Sequence, residues 1–271
     1  MKRFKAYLYE IFLLFINIRY LNYIQLEYRD KEDSSIDTSK FELMKSPWKL
    51  MSNGKEKTFY RISSPNYSYQ EGNPSKEAIY INGIKTNEVK ARHEAYELSK
   101  YFNKPFTIFL NQTNGFLEDL YDSIRMKVGN KDNKESKLLS DYICHRYHQY
   151  NVKSFFIVAY SQGSIITSHA IERLPDAVKS AIKINLITLG PAQDSLKSFT
   201  KKGAVLHVAH NKDFVARMGV LSYIDKNEIK GTLIKIDKYT HRLETYIKTL
   251  EDMKKLSIED NNILQSFISD L

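Results

Sequence analysis

From about residue 77 onward, short apolar runs alternate with longer segments whose apolar residues recur every three or four positions. A continuous apolar run is typical of a strand covered on both faces, whereas the wider spacing indicates an amphipathic helix. The pattern predicts strands at 78–82, 107–110, 155–159, 184–189, 204–209 and 233–236. It predicts helices at 87–102, 116–126, 137–150, 163–174, 175–182, 241–250 and 257–268. This alternation favours an α/β fold with a mainly parallel sheet and helices on both faces.

Two further apolar segments, 48–52 and 57–62, lie upstream and flank the pair Asn53-Gly54. Asn-Gly readily adopts the positive φ angles of a tight hairpin turn. The sequence therefore predicts an N-terminal antiparallel hairpin at the edge of the sheet. Residues 63–75, which contain prolines, asparagines and a glycine, are predicted to form a loop.

The first 28 residues are apolar and aromatic, with three basic residues among the first five. Glu10, Asn17, Arg19 and Asn22 interrupt the apolar segment and disfavour a membrane-spanning helix. A cleaved signal peptide would need a small-residue cleavage site, which this segment lacks. Three interpretations remain open: a helix packed on the protein or on a partner, an anchor at a membrane surface, and a signal-like segment.

The charge pattern suggests three parts along the 271 residues. Residues 1–28 form the apolar and aromatic N-terminal helix, and the polar, highly charged residues 29–46 read as a linker. Residues 47–271 are long enough for one large α/β domain with a single core.

Composition and charge exclude several classes of protein. Apolar residues make up 42% of the chain and charged residues 27%, which fits a globular protein and not a polytopic membrane protein. The net charge of +9 comes from lysines spread along the chain, without a nucleic-acid-binding motif. We therefore expect no nucleic-acid partner; the charge suits solubility or attraction to anionic surfaces. The cytoplasm and the periphery of a membrane both fit this composition.

A metal site and a disulfide framework are both disfavoured. Cys144 is the only cysteine, which excludes an intramolecular disulfide. His145 and His148 lie nearby in a predicted helix, but no spacing signature supplies further ligands. We expect no metal ion and no organic cofactor.

Residues 153–174 carry the sharpest chemical signal of the chain. An apolar strand is followed by a tight turn with Ser161 and then by a helix, and this arrangement is a nucleophile elbow. Such a turn needs small residues two positions before and two positions after the serine, and Ala159 and Gly163 occupy these positions. The sequence predicts that Ser161 is a nucleophile; the alternative is a plain strand-to-helix turn with a surface serine.

A serine hydroxyl needs a base to take its proton and a third group to orient that base. In an open parallel sheet, these partners lie beyond the carboxyl ends of later strands. Asp213 and His241 follow the last two predicted strands, in the order Ser, Asp, His that the α/β-hydrolase sheet imposes. Asp194 is an alternative acid, and His210 is an alternative base.

These segments resemble lipase/esterase-type α/β hydrolases. The resemblance spans about residues 48–250 and is carried by Ala159-Tyr160-Ser161-Gln162-Gly163, Thr188-Leu189-Gly190-Pro191, Asn211-Lys212-Asp213-Phe214-Val215, and His241 at the start of a helix that contains Tyr246. Ala159 stands where most relatives have glycine, and the Gly-Pro turn is one residue shorter than the Gly-x-Pro form.

The resemblance implies an oxyanion hole with two backbone N–H donors. One donor is Gln162, and the other is Gly83 or Ile84 in the loop after the first parallel strand. The His-Gly-Gly-Gly form of this loop is replaced by Asn82-Gly83-Ile84. A glycine that merely permits the chain to leave the strand is the alternative interpretation.

The implied activity is hydrolysis of a carboxylic ester or an acyl thioester, in enzyme class EC 3.1. A small-molecule ester or a lipid is the expected substrate, with a membrane surface as a further partner of residues 1–24. The alternative is a catalytically silent protein of the same fold that binds a ligand or serves as a membrane-tethered interaction protein.

Overall fold

The structure is a computed structural model of the 271-residue chain. It describes residues 8–14, 16–17, 42–43, 48–52, 55–63, 75–84, 86–111, 134–193, 196, 199–222, 230–256, 262, 264–265 and 267. The predicted helix at 116–126, most of the predicted loop at 63–75 and much of the predicted helix at 257–268 lie outside these residues.

A nine-stranded sheet forms the centre of the fold. Its strands are β1 (Glu42–Leu43), β2 (Trp48–Ser52), β3 (Lys55–Ser63), β4 (Lys76–Ile81), β5 (Phe106–Phe109), β6 (Ser154–Tyr160), β7 (Lys183–Leu189), β8 (Ala204–His210) and β9 (Thr232–Ile236). The order across the sheet is β1-β3-β5-β4-β6-β7-β8-β9, and β2 pairs with β3 outside this path.

Six strands, β4 to β9, pair in parallel, and the strands before them pair antiparallel. Residue Ser52 of β2 lies opposite Lys55 of β3, which is the register of the predicted hairpin. The predicted α/β fold with a mainly parallel sheet and an antiparallel N-terminal edge is therefore confirmed. The predicted linker at 29–46 contains β1, which pairs with β3.

Helices cover both faces of the sheet. They are α1 (Glu88–Phe102), α2 (Lys134–Tyr150), α3 (Gly163–Arg173), α4 (Asp176–Ala181), α5 (Phe214–Met218) and α6 (Leu243–Leu256). Residues of α2, α3 and α4 share one apolar cluster with one face of β6, and residues of α1 and α6 share a second cluster with the other face. Because successive strand residues point to opposite faces, the continuous apolar run of β6 fills both clusters.

Residues 8–14 and 16–17, called the N-terminal helix below, pack one side against α5. Leu13 is buried against Phe214 and Met218, and Arg217 Nε donates a hydrogen bond of 2.6 Å to Asn17 Oδ1. Leu8, Ile11, Phe12 and Ile16 are exposed large apolar residues of the same helix. Among the described residues, no helix has the length and apolarity needed to cross a membrane.

Glu94 is a buried carboxyl group beneath the sheet. It lies on α1 and accepts a hydrogen bond of 2.6 Å from the hydroxyl of Tyr80. Burial raises the pKa of Glu94 from 4.5 to about 7, and the negative charge of Glu244 adds to this rise. Lys90 and the Tyr80 hydrogen bond act in the opposite direction. The protonated form is therefore favoured in the folded chain compared with the unfolded chain.

We expect Glu94→Gln to stabilise the protein above pH 8 but not at pH 4.5. The pKa of Glu94 is higher in the folded chain than in the unfolded chain, so its contribution to stability is fully present below pH 4.5. That contribution is lost as the pH rises from 4.5 through about 7. A shift of this size corresponds to about 3 kcal/mol at high pH. Urea unfolding at both pH values measures the difference. Glu97→Gln, a half-buried position of the same helix paired with Lys100, is the control. An equal effect of Glu94→Gln at both pH values would contradict the prediction.

Candidate active site

The turn between β6 and α3 holds Ser161 in a left-handed conformation, with φ of 54°. A residue with a side chain rarely adopts this conformation, and it persists only where the surrounding structure enforces it. The close packing around the turn explains why small residues flank the serine: a Cβ added at Gly163 would lie 2.5 Å from the carbonyl oxygen of Ile81. The strand, the turn and the helix thus form the predicted elbow.

Backbone hydrogen bonds from neighbouring loops fix the turn. Ser161 N–H donates to the carbonyl of Leu189 at the end of β7 (3.0 Å). The carbonyl of Ser161 accepts from the hydroxyl of Ser164 (2.7 Å), and that hydroxyl accepts from Gln193 N–H (3.0 Å). The elbow is therefore bound to the loop after β7 through Ser164.

Ser161, His241 and Asp213 form one line of hydrogen bonds. His241 Nδ1 lies 2.6 Å from Asp213 Oδ2, and His241 Nε2 lies 2.9 Å from Ser161 Oγ. An ionised carboxylate only accepts, so the proton of the neutral imidazole lies on Nδ1 and Nε2 accepts from the serine hydroxyl. The three side chains are at most 3% exposed. The loops after β6, β8 and β9 thus bring together residues that are up to 80 positions apart.

Asp213 is held by four hydrogen-bond donors. It is the N-cap of α5, and its Oδ1 accepts from the N–H groups of Val215 (2.8 Å) and Ala216 (3.3 Å). Its Oδ2 accepts from His241 and from the hydroxyl of Tyr246, each at 2.6 Å. A carboxylate has about four acceptor sites, so the surroundings of Asp213 match the ionised form.

Gly190 lies directly beside this line. Its φ is +53°, and an added Cβ would lie 2.8 Å from Asp213 Oδ2, 2.9 Å from the Tyr246 ring and 3.0 Å from His241 Cε1. Both the conformation and the space require glycine. The Gly-Pro turn that contributed to the family resemblance therefore has a local physical cause.

Tyr160, the residue before the serine, supports the imidazole. Its ring stacks on the ring of His241, with centroids 5.0 Å apart and planes inclined by 25°. Its hydroxyl donates a hydrogen bond to the backbone carbonyl of His241. Tyr160 therefore restrains both the ring and the backbone of His241.

The predicted oxyanion loop packs against the serine. A Cβ added at Gly83 would lie 2.8 Å from Ser161 Cβ. The carbonyl of Gly83 accepts from Asn82 Nδ2 at 2.8 Å. Because a trans peptide directs its C=O and N–H groups to opposite sides, the N–H of Ile84 points away from the Asn82 side chain. Gln162, Gly83 and Ile84 are all buried.

Two asparagines connect the loops after β4, β5 and β6. Asn82 Oδ1 accepts from Asn111 N–H (2.7 Å), and Asn82 Nδ2 also donates to the carbonyl of Asn111 (3.1 Å). Asn111 Nδ2 in turn donates to Gln162 Oε1 at 2.6 Å. The two loops proposed to supply N–H donors are therefore held in fixed relative positions. The start of α3 also directs its positive end toward this region.

The alternative residues have other surroundings. Asp194 lies outside the described residues. His210 Nδ1 lies 2.8 Å from the carbonyl of Thr240, and its Nε2 lies 3.0 Å from Thr249 Oγ1, so neither nitrogen contacts Ser161. His207 lies between Thr188 and Lys230, and burial lowers its pKa to about 4. Within the described residues, no group of three or more His, Cys, Asp or Glu side chains is suited to a metal ion.

Four supporting residues were not predicted from the sequence as parts of the site. Asn82 adjoins the predicted Gly83 donor and Ser164 follows the elbow, so proximity in sequence was the available signal. Tyr246 entered only through the resemblance, and Asn111 directly follows the predicted strand at 107–110. The hydrogen bonds of Asn111 to Asn82 and to Gln162 join residues 29 and 51 positions apart. The hydrogen bond from Tyr246 to Asp213 depends on where α6 packs, so residue patterns do not predict these contacts.

No protein-family model matches the sequence, and no curated protein matches it. Among solved structures, it is similar to an α/β serine hydrolase without a lid from Xanthomonas campestris (13% identity, 78% of this chain and 93% of that chain, TM-score 0.46). Carboxyl esterase 2 from Tuber melanosporum shows 12% identity over 88% of this chain and 89% of that chain, with a TM-score of 0.49. Dienelactone hydrolase from Anabaena variabilis shows 10% identity over 79% of this chain and 96% of that chain, with a TM-score of 0.45.

The fold follows from the chain's own features. The parallel strands β4 to β9 carry helices on both faces, and a serine lies on a strained turn between the central strand β6 and α3. An acidic residue and a histidine follow β8 and β9, in the chain order of that sheet. This chain therefore has the α/β-hydrolase fold.

Proposed function

We propose that this chain is a serine hydrolase that cleaves a carboxylic ester or an acyl thioester through Ser161, His241 and Asp213. One observation carries the proposal: His241 lies within hydrogen-bond distance of both Ser161 Oγ (2.9 Å) and Asp213 Oδ2 (2.6 Å). This is the arrangement in which a weakly nucleophilic hydroxyl gains a base and the base gains an orienting acid.

The first half of the reaction forms an acyl-enzyme. Ser161 Oγ attacks the substrate carbonyl carbon while its proton passes to His241 Nε2. Asp213 accepts the Nδ1 proton in a hydrogen bond and stabilises the imidazolium. His241 then gives the proton to the leaving alcohol or thiol, and the bond between the acyl carbon and the leaving group breaks.

Water completes the reaction. His241 Nε2 takes a proton from water, and the hydroxide attacks the acyl carbon bound to Ser161 Oγ. The proton then returns to Oγ, which releases the acid and regenerates the serine. The backbone N–H groups of Gln162 and of Gly83 or Ile84 are proposed to stabilise the oxyanion in both halves, in a buried site where such hydrogen bonds are strong.

Labelling with a fluorophosphonate tests this proposal. The probe reacts with activated serine hydroxyls, and we expect one adduct, located on Ser161 by peptide mapping of the native protein. Heat-denatured protein is the control, because an unfolded serine lacks its base. A panel of esters and thioesters of graded acyl length then defines the substrate class. A correctly folded protein without adduct and without turnover would favour a silent protein of this fold.

We further propose that the substrate is met at an anionic membrane surface. The supporting observation is the exposed side of the N-terminal helix, where Leu8, Ile11, Phe12 and Ile16 are between 44% and 58% exposed. Three basic residues among the first five precede this helix in the sequence. Apolar side chains next to basic residues are the combination that binds interfaces of anionic lipid.

Phe12→Asp is expected to lower binding of the protein to vesicles of phosphatidylcholine and phosphatidylglycerol by about tenfold, because it places a charge among the apolar side chains. Co-sedimentation measures the effect, and pure phosphatidylcholine vesicles test the requirement for anionic lipid. Val89→Asp is the matched control, since Val89 is 42% exposed on α1. If both variants sediment with the anionic vesicles to the same extent as the wild type, the proposal is contradicted.

A further inference from the structure

Tyr246 shares an acceptor atom with His241. The Tyr246 hydroxyl lies 2.6 Å from Asp213 Oδ2, the same oxygen that accepts the Nδ1 proton of His241 at 2.6 Å. Tyr246 lies on α6 and is fully buried, with a relative exposure of 0%. Neither proposed reaction step uses this hydroxyl.

The direction of the Tyr246 hydrogen bond is fixed by a second contact. The backbone N–H of His210 donates to the Tyr246 oxygen at 3.1 Å. Because that oxygen accepts from an N–H group and Asp213 only accepts, the phenolic proton is directed at Asp213 Oδ2. Donation from His210 N–H also polarises the Tyr246 hydroxyl and strengthens the hydrogen bond that this hydroxyl donates to Asp213.

The His210 ring holds Tyr246 from one side. The two rings are stacked, with centroids 3.8 Å apart and planes inclined by 3°. His210 Nδ1 lies 2.8 Å from the carbonyl of Thr240, so this nitrogen carries the proton and donates it. Thr240 immediately precedes His241 in the chain.

The other nitrogen of His210 has a matching partner. Thr249 Oγ1 lies 3.0 Å from His210 Nε2 and 3.0 Å from Lys238 Nζ. An ammonium group has only donors, so the threonine accepts from Lys238 and donates its proton to Nε2. Burial lowers the pKa of His210, and the charges of Lys238 and His241 act in the same direction, against Thr240 and Asp213. A neutral ring with its proton on Nδ1 satisfies every one of these contacts.

We propose that Tyr246 is a positioning residue that competes with His241 for Asp213 Oδ2. In this proposal His210 holds Tyr246 and the loop before His241 in fixed relative positions. The inference rests on the proposed function, in which His241 must take a proton from Ser161 and then release it to the leaving group. Each hydrogen bond to a carboxylate stabilises its charged form and lowers its basicity, so an oxygen that accepts two hydrogen bonds holds each less strongly than it would hold one. Tyr246 therefore prevents Asp213 from holding the protonated imidazole too firmly.

Tyr246→Phe removes one oxygen atom and retains the ring stacked on His210. Without its competitor, the His241–Asp213 hydrogen bond becomes stronger, and the protonated imidazole is favoured over the neutral one. The lower-pH limb of the kcat/KM profile is therefore expected to move to higher pH by about half a unit or more. Protonation of the leaving group also becomes slower, so kcat for alkyl esters is expected to fall about twofold to threefold with KM within about twofold.

Two measurements on Tyr246→Phe test this proposal. The pH profile and kcat are measured with an alkyl ester, and the proton between His241 and Asp213 is observed by NMR in the absence of substrate. We expect its resonance to move downfield because the hydrogen bond is stronger. Tyr101→Phe is the matched control. The Tyr101 hydroxyl, on α1, donates to the carbonyl of Leu250 at 2.9 Å, and Leu250 lies on α6 like Tyr246. The control is expected to retain the wild-type pH profile and resonance.

An unchanged resonance and pH profile in Tyr246→Phe would overturn the proposal, as would the same changes in Tyr101→Phe. If Tyr246→Phe does not fold, the wild type provides the test: a nuclear Overhauser contact between the Tyr246 hydroxyl proton and the His241 Nδ1 proton is expected, and its absence overturns the sharing of Oδ2. The NMR readout needs no turnover. An inactive wild type that shows the contact would therefore refute the proposed function while the shared hydrogen bond stands.

Discussion

Ser161→Ala is expected to lower kcat for ester hydrolysis by about 10⁵-fold to 10⁶-fold, while KM changes little. The hydroxyl is the only group proposed to form the acyl-enzyme, so its loss leaves only direct attack by water. The remaining rate, about 10³-fold to 10⁴-fold above that in water, would come from substrate binding and from the oxyanion donors. Steady-state kinetics with the best ester of the panel, together with the fluorophosphonate label, measure the loss.

Ser164→Ala is the matched control for this experiment. Ser164 is a buried serine three residues further on, and its hydroxyl braces the elbow by donating to the carbonyl of Ser161 at 2.7 Å. Its loss removes two neutral hydrogen bonds, this one and the one accepted from Gln193 N–H. We expect a fall in kcat of about tenfold or less with labelling retained. Equal kcat values for the two variants would contradict the role proposed for Ser161.

The elbow and the sheet were predictable because their signals are local. The apolar run of β6, the small residues Ala159 and Gly163 and the spacing of α3 occupy one continuous segment. Each feature has a steric cause that the structure makes explicit, such as the 2.5 Å between a Cβ at Gly163 and the Ile81 carbonyl. The alternation of strands and helices is equally local, and it predicted the parallel sheet.

The supporting contacts were not predictable in the same way. The hydrogen bond from Tyr246 to Asp213 and the one from Asn111 to Gln162 join residues 33 and 51 positions apart. Whether two such side chains meet depends on the twist of the sheet and the crossing angles of helices, which residue patterns do not specify. The start of one helix also differs from the prediction, for a separate and local reason. α2 begins at Lys134, three residues before its predicted start, since helix ends depend on a few local contacts.

The N-terminal segment shows the limits of an apolar pattern. Apolar side chains on both sides of a helix fit packing, membrane binding and a signal-like segment equally well. In the structure, Leu13 is buried against Phe214 and Met218 of α5, which directly follows Asp213. Phe12, on another side of the same helix, is 58% exposed. A single helix thus combines a packed side with an apolar exposed side, which the pattern alone did not separate.

Asp213→Asn is expected to lower kcat by about 10⁴-fold without unfolding the protein. The amide oxygen of asparagine still accepts from Val215 and Ala216, so the N-cap of α5 is retained. The amide nitrogen then faces His241 Nδ1 and the Tyr246 hydroxyl. Both groups donate to Asp213 Oδ2 in the wild type, and in the variant they meet another donor. His241 avoids the clash by placing its proton on Nε2, and in that tautomer it has no free lone pair to take the proton of Ser161.

Asp194→Asn distinguishes the two candidate acids. If Asp213 is the acid, Asp194→Asn should retain kcat within about twofold, because Asp194 then makes no contact that changes in the transition state. Kinetics of both variants, with the melting temperature as a check on folding, decide the assignment. A large loss in Asp194→Asn and near wild-type activity in Asp213→Asn would move the acid to the loop after β7. It would also mean that the four donors around Asp213 serve only to cap α5 and to join it to α6, so that their convergence is structural and not part of the chemistry.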